Sequence, residues 1–198
     1  MKTNRFYFVI RAIIIPLLHI FFPFRLTGRE NIPLEGPAMI CSNHVSMLDP
    51  LFISASTRRY IRYISKKELF ENRFLKWIFT HLGMFPVARG GSDMSAMRTS
   101  LAVLKDGGVL GIFPQGHRYR QDDHRALETG AAVMALRARV PVIPVHVRGP
   151  VRLFRMNEIA IGEPVALDDL KRIDTPALVE TDRRLVAAIW GGAQDQEA

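Results

Sequence analysis

The sequence predicts a single α/β domain with a central, mostly parallel or mixed sheet flanked by helices. The first observation is length, because 198 residues are enough for one sizeable core and too few for two comfortable domains. The second is that short apolar runs alternate with segments of helical periodicity beyond Thr27, with no repeat or low-complexity segment between them. We expect an apolar N-terminal segment over 1–27, the folded domain over 28–190 and a loose tail over 191–198.

Strands and helices are predicted in alternation along this domain. Short apolar runs predict strands over 38–42, 60–65, 84–87, 109–113, 140–147 and 159–165. Apolar residues at helical spacing predict helices over 50–55, 74–82, 126–139 and 175–190, and one more that Ser92 or Asp93 caps and Gly107 closes. Because Pro141 and Pro144 cannot donate to a ladder, the strand over 140–147 is expected at a sheet edge or with a bulge.

The N-terminal segment is the most apolar part of the chain. In residues 6–24, 17 of 19 positions are apolar, aromatic or proline, which is just long enough to span a bilayer. Four residues argue against a straight span, because a buried arginine costs at least about 2.5 kcal/mol and prolines interrupt a helix: Arg11, Pro16, His19 and Pro23. A signal peptide is disfavoured because no small-x-small cleavage site follows before Arg25. We expect a kinked, retained segment that dips into one leaflet.

The charge balance predicts an anionic partner. The chain carries a net charge of +8, which suits nucleic acid, an anionic membrane or a phosphorylated substrate. In residues 58–76, basic residues interleave with Tyr, Ile, Phe, Leu and Trp, a pattern typical of either a basic membrane-facing surface or a solvated helix. The apolar N-terminus and the lack of an aromatic RNA-binding signature count against nucleic acid. A single cysteine, Cys41, excludes an intramolecular disulfide framework.

The stretch CSNHVSMLDP contains a candidate catalytic pair, His44 and Asp49. Residues five apart on a helix point about 140° away from each other, so the two side chains meet only if the chain turns between them. Pro50 favours such a turn and predicts Asp49 as a helix N-cap. A carboxylate on one ring nitrogen leaves the other free to take a proton from a hydroxyl group. The alternative is a plain helix cap beside a solvated histidine.

Two further stretches are candidate anion sites. In IFPQGHRYR, Gly116 follows a predicted strand and precedes Arg118, so backbone N–H groups and a guanidinium can converge on a phosphate. In GMFPVARGG, Arg89 ends a short predicted strand and is followed by two glycines. The alternatives are a surface turn and a solvated arginine. The pair His117 and Asp122 repeats the spacing of the first histidine and aspartate, so spacing alone identifies neither pair as catalytic.

Four stretches of the chain resemble, in order, the four motif blocks of the glycerolipid acyltransferases: NHVSMLD, GMFPVAR, FPQGHR and VPVIPV. The resemblance is closest to the bacterial 1-acylglycerol-3-phosphate acyltransferases. The resemblance implies the fold of that family and acyl transfer from coenzyme A or acyl carrier protein to the free hydroxyl of 1-acylglycerol 3-phosphate. It implies His44 as general base, Asp49 as its orienting partner, and four residues in acceptor binding: Arg89, Gln115, Gly116 and Arg118. It implies no cofactor, metal or acyl-enzyme.

The third block departs from the family pattern, which usually has Glu and Thr where this chain has Gln115 and His117. An acidic group becomes neutral and a potential cation is added, which leaves another lysolipid or glycerol 3-phosphate open as acceptor. A non-catalytic basic membrane-binding protein is the alternative from a different class. For an enzyme, the resemblance and the apolar N-terminus imply partners of three kinds, a lysophospholipid, the thioester donor and a membrane surface, and predict association with the cytoplasmic face of a bacterial inner membrane.

Overall fold

The computed structural model describes residues 5–87, 94–119 and 127–194, with side chains described as far as Gly191. Seven strands in these residues form one sheet: β1 (Phe24–Thr27), β2 (Ala38–Ser42), β3 (Ile61–Lys66), β4 (Met84–Val87), β5 (Val109–Ile112), β6 (Val142–Val147) and β7 (Asn157–Ile161). The helices are α1 (Arg5–Phe21), α2 (Asp49–Ser56), α3 (Arg73–His81), α4 (Met94–Lys105), α5 (Thr129–Ala138) and α6 (Thr175–Gln194). The predicted α/β class with a mixed sheet is confirmed.

The strand order is β1-β7-β6-β2-β5-β3-β4, and every pair is parallel except β6 with β7. Strand β2 lies between β5 and β6, with Ile40 opposite Gly111 on one side and Ile143 on the other. The carboxyl ends of β2, β5 and β6 therefore meet at one edge of the sheet. Loops at this edge are where parallel sheets place their functional residues.

Strand β2 is buried along its whole length and divides the core in two. Its side chains alternate, so Ala38 and Ile40 belong to one apolar cluster, while Met39 and Cys41 belong to the other. Helices α1 and α2 cover the first face through Leu18, Phe52 and Ile53. Helices α4, α5 and α6 cover the second face through Leu104, Ala135 and Leu185. Cys41 is a fully buried core residue, and this burial raises the pKa of its thiol.

Helix α1 contains most of the apolar N-terminal segment. Only Tyr7 and Leu18 of its 17 residues are buried, and Pro16 lies within it. Arg11 is turned toward the protein, where its Nε donates to the carbonyl oxygen of Ser54 at 3.1 Å. Partial burial lowers the pKa of this guanidinium. No helix in the described parts of the chain is long and apolar enough to cross a membrane.

Two features of the sheet differ from the sequence prediction. Residues 24–27, assigned to the apolar segment, form strand β1 and pair with β7. The proline-containing strand β6 is not at an edge, because it pairs with β2 and with β7. Pro144 is tolerated because the antiparallel pairing with β7 begins one residue later, at Val145, and the Pro144 carbonyl accepts from Gly162 N at 2.9 Å.

Candidate active site

The turn that follows β2 is held to the end of β6 by one buried side chain. Asn43 Nδ2 donates to the Val147 carbonyl at 2.8 Å, and Asn43 Oδ1 accepts from Val147 N at 2.7 Å. Asn43 is 1% exposed, so this pair of bonds is protected from water. The path of the chain into His44 is therefore set by the neighbouring strand.

His44 and Asp49 form a direct hydrogen bond. His44 Nδ1 donates to Asp49 Oδ2 at 2.7 Å, and the two side chains are 17% and 0% exposed. The same carboxylate oxygen accepts from the backbone N–H groups of Val45 and Ser46, each at 2.8 Å. Three donors thus converge on one oxygen, and this closes the turn that the sequence predicted. His44 Nε2 is left for a substrate.

The predicted capping role of Asp49 is wrong. Asp49 is the first residue of α2, the N-cap position belongs to Leu48, and no side-chain capping bond is made there. The carboxylate instead points back along the chain to residues 44–46. Proline at the second helical position still starts the helix as predicted, because its missing N–H needs no partner there.

Two aromatic rings stack in series on one face of the His44 imidazole. The rings of His44 and Phe113 are stacked, with centroids 4.1 Å apart and planes 20° apart, and Tyr63 stacks on Phe113 at 6.2 Å. Gly111 lies opposite Tyr63, and a side chain there would overlap the tyrosine ring. The Tyr63 hydroxyl donates to the Pro50 carbonyl at 3.1 Å. Because burial raises the pKa of Tyr63, this hydroxyl stays protonated.

The loop that follows β5 is bound to the backbone of His44 at two points. His44 N donates to Gln115 Oε1 at 3.0 Å, and Tyr119 N donates to the His44 carbonyl at 2.8 Å. Gln115 is 4% exposed, so its side chain is directed inward to the turn over 44–49. Glutamine and glutamate both offer an oxygen for this bond, and glutamine does so without a buried charge.

Between these two bonds the loop presents a turn to solvent. Gly116 N donates to the Phe113 carbonyl at 3.0 Å, and Gly116 has a φ of +67°. This left-handed conformation favours glycine. His117 and Arg118 follow and are exposed. Arg118 therefore lies in a loop that is hydrogen-bonded to the backbone of His44. Arg89 and Asp122 lie outside the described residues.

Three residues at this site were not predicted from the sequence: Asn43, Phe113 and Tyr63. Asn43 and Phe113 stand inside the matched motif stretches, so their position was a signal of importance. Their roles depend on contacts with Val147 and His44 that only the folded chain brings together. Within the described ranges, no group of three or more His, Cys, Asp or Glu side chains is arranged to hold a metal ion.

Replacing Gly116 with alanine is expected to lower the free energy of unfolding by about 1–2 kcal/mol, because alanine disfavours the left-handed region and its methyl group would overlap the Glu128 carboxylate. Chemical denaturation measures this loss. The double variant Gly116→Ala/Glu128→Ala removes the overlap and should recover part of it. An equal loss in both variants would mean that the backbone conformation alone is responsible.

The fold and this site define an α/β enzyme in which a carboxylate-bound imidazole lies at the carboxyl edge of parallel strands, next to an arginine-bearing loop. The particular family follows from the sequence comparison. Residues 23–148 match the acyltransferase family, and the chain belongs to it.

The proteins that are similar to this chain include two sequence relatives and one solved structure. It is 30% identical over 155 residues to the 1-acyl-sn-glycerol-3-phosphate acyltransferase of Bacillus subtilis, with 75% of this chain and 77% of the relative covered. It is 29% identical to the protein of the same name from Streptococcus pneumoniae, with 79% of this chain and 58% of the relative covered. The crystal structure of the 1-acyl-sn-glycerophosphate acyltransferase of Thermotoga maritima superposes with a TM-score of 0.73 and 21% identity, covering 98% and 80% of the two chains. This structural likeness shows the fold.

Proposed function

We propose that the protein transfers a fatty acyl group from a thioester donor to the free hydroxyl of 1-acylglycerol 3-phosphate, giving phosphatidic acid. The hydrogen bond between His44 Nδ1 and Asp49 Oδ2 is the observation that carries the proposal. Relatives from Bacillus subtilis and Streptococcus pneumoniae that bear the name of this activity support the choice of substrate.

The proposed reaction is a direct transfer. His44 Nε2 takes the proton of the acceptor hydroxyl as its oxygen attacks the thioester carbonyl carbon, and a tetrahedral intermediate forms. When the intermediate collapses, the carbon–sulfur bond breaks and the imidazolium returns the proton to the departing thiolate. Asp49 holds the imidazole in one tautomer and stabilises its charged form. The donor is coenzyme A or acyl carrier protein, and the chemistry requires no cofactor, metal or acyl-enzyme.

The acceptor phosphate is proposed to bind at the turn of the loop after β5. The exposed Arg118 supplies a guanidinium suited to phosphate. Gly116 is proposed to shape this turn, because its N–H donates to the Phe113 carbonyl and the Glu128 carboxylate lies against it. Arg89 is proposed as a second phosphate ligand on the basis of its motif. Gln115 positions His44 through the backbone, and contact between Gln115 and the acceptor stays a prediction.

The substrate is proposed to reach the site from a membrane. Burial of each CH₂ group contributes about 0.8 kcal/mol, so a long-chain lysolipid rarely leaves a bilayer. Helix α1 exposes an apolar stripe at spacings of three and four residues, formed by Val9, Ile13, Leu17, Ile20 and Phe21. We propose that this stripe lies on the cytoplasmic face of a bacterial inner membrane, since the basic net charge favours an anionic leaflet.

The test is to offer the purified protein a panel of lysolipids and glycerol 3-phosphate, with acyl-coenzyme A or acylated carrier protein, and to identify products by mass. Phosphatidic acid formed from 1-acylglycerol 3-phosphate is the expected result. A different acylated product would change the identity of the proposed acceptor and leave the proposed acyl transfer in place. No thioester consumption with any acceptor would refute the enzymatic proposal and favour a membrane-binding protein without activity.

Arg118→Gln is expected to raise the KM for 1-acylglycerol 3-phosphate by about 10- to 100-fold, because a charge-assisted bond to phosphate is lost, and to change kcat little. Initial rates on a phosphate-free monoacylglycerol serve as an internal control and should be unaffected. Arg137→Gln, an exposed arginine on α5 at the opposite face of the sheet, is the matched control variant. An equal rise in KM for both acceptors would remove Arg118 from phosphate binding.

A further inference from the structure

The loop over 148–156 exposes an unusual concentration of large apolar side chains. Leu153, Phe154 and Met156 are 53%, 63% and 60% exposed within four consecutive residues. Single exposed apolar residues are common on protein surfaces, but a cluster indicates an interaction site. The loop is separate from the turn over 44–49, the catalytic turn of the proposed function, and from the loop after β5, where the phosphate is proposed to bind.

The backbone of this loop is held in place by a buried asparagine. Asn157 is 4% exposed, and its Nδ2 donates to the carbonyls of Pro23, Arg152 and Arg155, while its Oδ1 accepts from Arg152 N. Phe154 N donates to the Phe21 carbonyl at 2.7 Å, which anchors the loop to the end of α1. Phe154 has a φ of +54°, a left-handed conformation that a bulky residue rarely adopts. The network thus holds these apolar side chains out of the core in a defined geometry.

Two cations lie among the apolar residues of this loop. Arg152 and Arg155 are exposed, and neither guanidinium makes an ion pair or a side-chain hydrogen bond with the residues that the structure describes. Exposed apolar side chains beside these two arginines are complementary to an anionic lipid surface. There the apolar side chains enter the acyl region and the guanidinium groups contact the headgroups. An acidic soluble protein would match the arginines but leave the apolar side chains unexplained.

The topology places this loop at the active-site edge of the sheet. It follows the carboxyl end of β6, and two hydrogen bonds between Asn43 and Val147 join that end to the start of the catalytic turn. The end of α1 lies at the same edge, because Phe24 pairs with Asn157, and the rings of Phe21 and Phe154 are 5.7 Å apart. The loop therefore continues the apolar stripe of α1 toward His44.

We propose that residues 152–156 form a lipid-docking wedge that inserts Leu153, Phe154 and Met156 into an anionic leaflet while Arg152 and Arg155 bind its headgroups. The wedge and α1 then give the protein two contacts with one membrane, and this sets the orientation in which the catalytic turn faces the lipid. The inference rests on the proposed function only for the location of the substrate. Lipid binding itself is measured without turnover.

The experiment measures partition of the full chain onto vesicles of phosphatidylcholine, with and without phosphatidylglycerol, by co-sedimentation. Leu153→Gln/Phe154→Asn keeps a residue that tolerates the left-handed region at 154 and should lower partition onto both vesicles by roughly tenfold. Arg152→Gln/Arg155→Gln should lower partition by roughly tenfold onto anionic vesicles only, and less at high salt. The Asn157 bonds to this loop use backbone atoms of Arg152 and Arg155, so thermal unfolding should change little.

Matched controls come from the opposite face of the sheet. Val179→Gln on α6 removes an equally exposed apolar residue, and Arg137→Gln on α5 removes an exposed arginine. Both should bind vesicles like the unmodified protein. Unchanged partition in the loop variants, or equal losses in the controls, would overturn the proposal. A loss confined to activity with acylated carrier protein, with vesicle binding intact, would assign the loop to that acidic partner instead. A self-association that only the loop variants abolish would assign it to a second copy.

Activity on a short-chain, water-soluble lysolipid separates this inference from the proposed function. If the loop variants retain that activity and lose vesicle binding, both proposals stand. If the unmodified protein binds vesicles through the loop but acylates no acceptor, the wedge stands and the enzymatic proposal fails.

Discussion

Replacing His44 with alanine is expected to lower kcat by about 10²- to 10⁴-fold, the range for loss of a general base. The side chain is 17% exposed and lies at the end of a strand rather than in the core, so the fold should persist. Initial rates at saturating donor and acceptor measure the loss, and circular dichroism with thermal unfolding verifies the fold. His81→Gln, which changes an imidazole at the end of α3, is the control and should leave kcat unchanged. Near-normal turnover in a folded His44→Ala variant would end the assignment.

The effect of His44→Ala should appear in kcat rather than in KM. The imidazole acts on a proton that moves only during the reaction, whereas the acceptor is held by its phosphate and its acyl chain. A variant with a raised KM and an unchanged kcat would indicate that His44 binds the acceptor without taking its proton.

Replacing Asp49 with asparagine is expected to lower kcat by about 10²- to 10⁴-fold with only a small loss of stability. The asparagine oxygen can take the place of Oδ2 and keep the bonds from Val45 N and Ser46 N. Its amide nitrogen then occupies the Oδ1 position, where none of the described residues donates a hydrogen bond. The charge that stabilises the imidazolium is lost, and this accounts for the slower reaction.

Asp49→Ala is the matched variant that separates catalysis from folding. It removes the acceptor of two backbone N–H groups and of His44 Nδ1, so the free energy of unfolding should fall by about 2–4 kcal/mol. Denaturant titration of both variants gives the comparison. Since His44 and Asp49 act as a unit, the double variant His44→Ala/Asp49→Asn should be no slower than His44→Ala alone. Additive losses would show that the two residues act independently.

The periodicity of the chain was sufficient to predict most of the fold. Strand β2 was predicted with its observed bounds, 38–42, because five consecutive apolar or small residues between turn residues suit a strand buried on both faces. Strand β1 was missed because its four residues follow directly on an apolar helix, and only pairing with β7 makes them a strand. Of the two alternatives given for β6, an edge or a bulge, the edge was wrong, because a proline removes one hydrogen-bond donor and does not determine which strands lie on either side.

The sequence named candidate site residues but not the contacts that join them. Five residues were named from motif stretches, and the structure places them in the turn that leads into α2 and in the adjoining loop after β5: His44, Asp49, Gln115, Gly116 and Arg118. Asp49 was predicted as a helix N-cap, which it does not form. An aspartate before a proline suits a helix cap and equally suits a side chain that accepts hydrogen bonds from the preceding turn. The hydrogen bond from His44 N to the Gln115 side chain could not be predicted either, since it joins residues 71 positions apart in the chain.

The sequence by itself determined the α/β class, the buried strands and the apolar N-terminus, because each of these depends on residue type and spacing over a few neighbouring positions. The four motif stretches in order, rather than spacing, identified His44 and Asp49 as the candidate pair. The tertiary structure decided the contacts around these features. These are the stacking of Phe113 on His44, the hydrogen bonds between Asn43 and Val147, the bond of Arg11 to Ser54 and the exposure of the loop at Phe154. These depend on contacts between residues distant in the chain, and such contacts exist only once the strands have taken their order in the sheet.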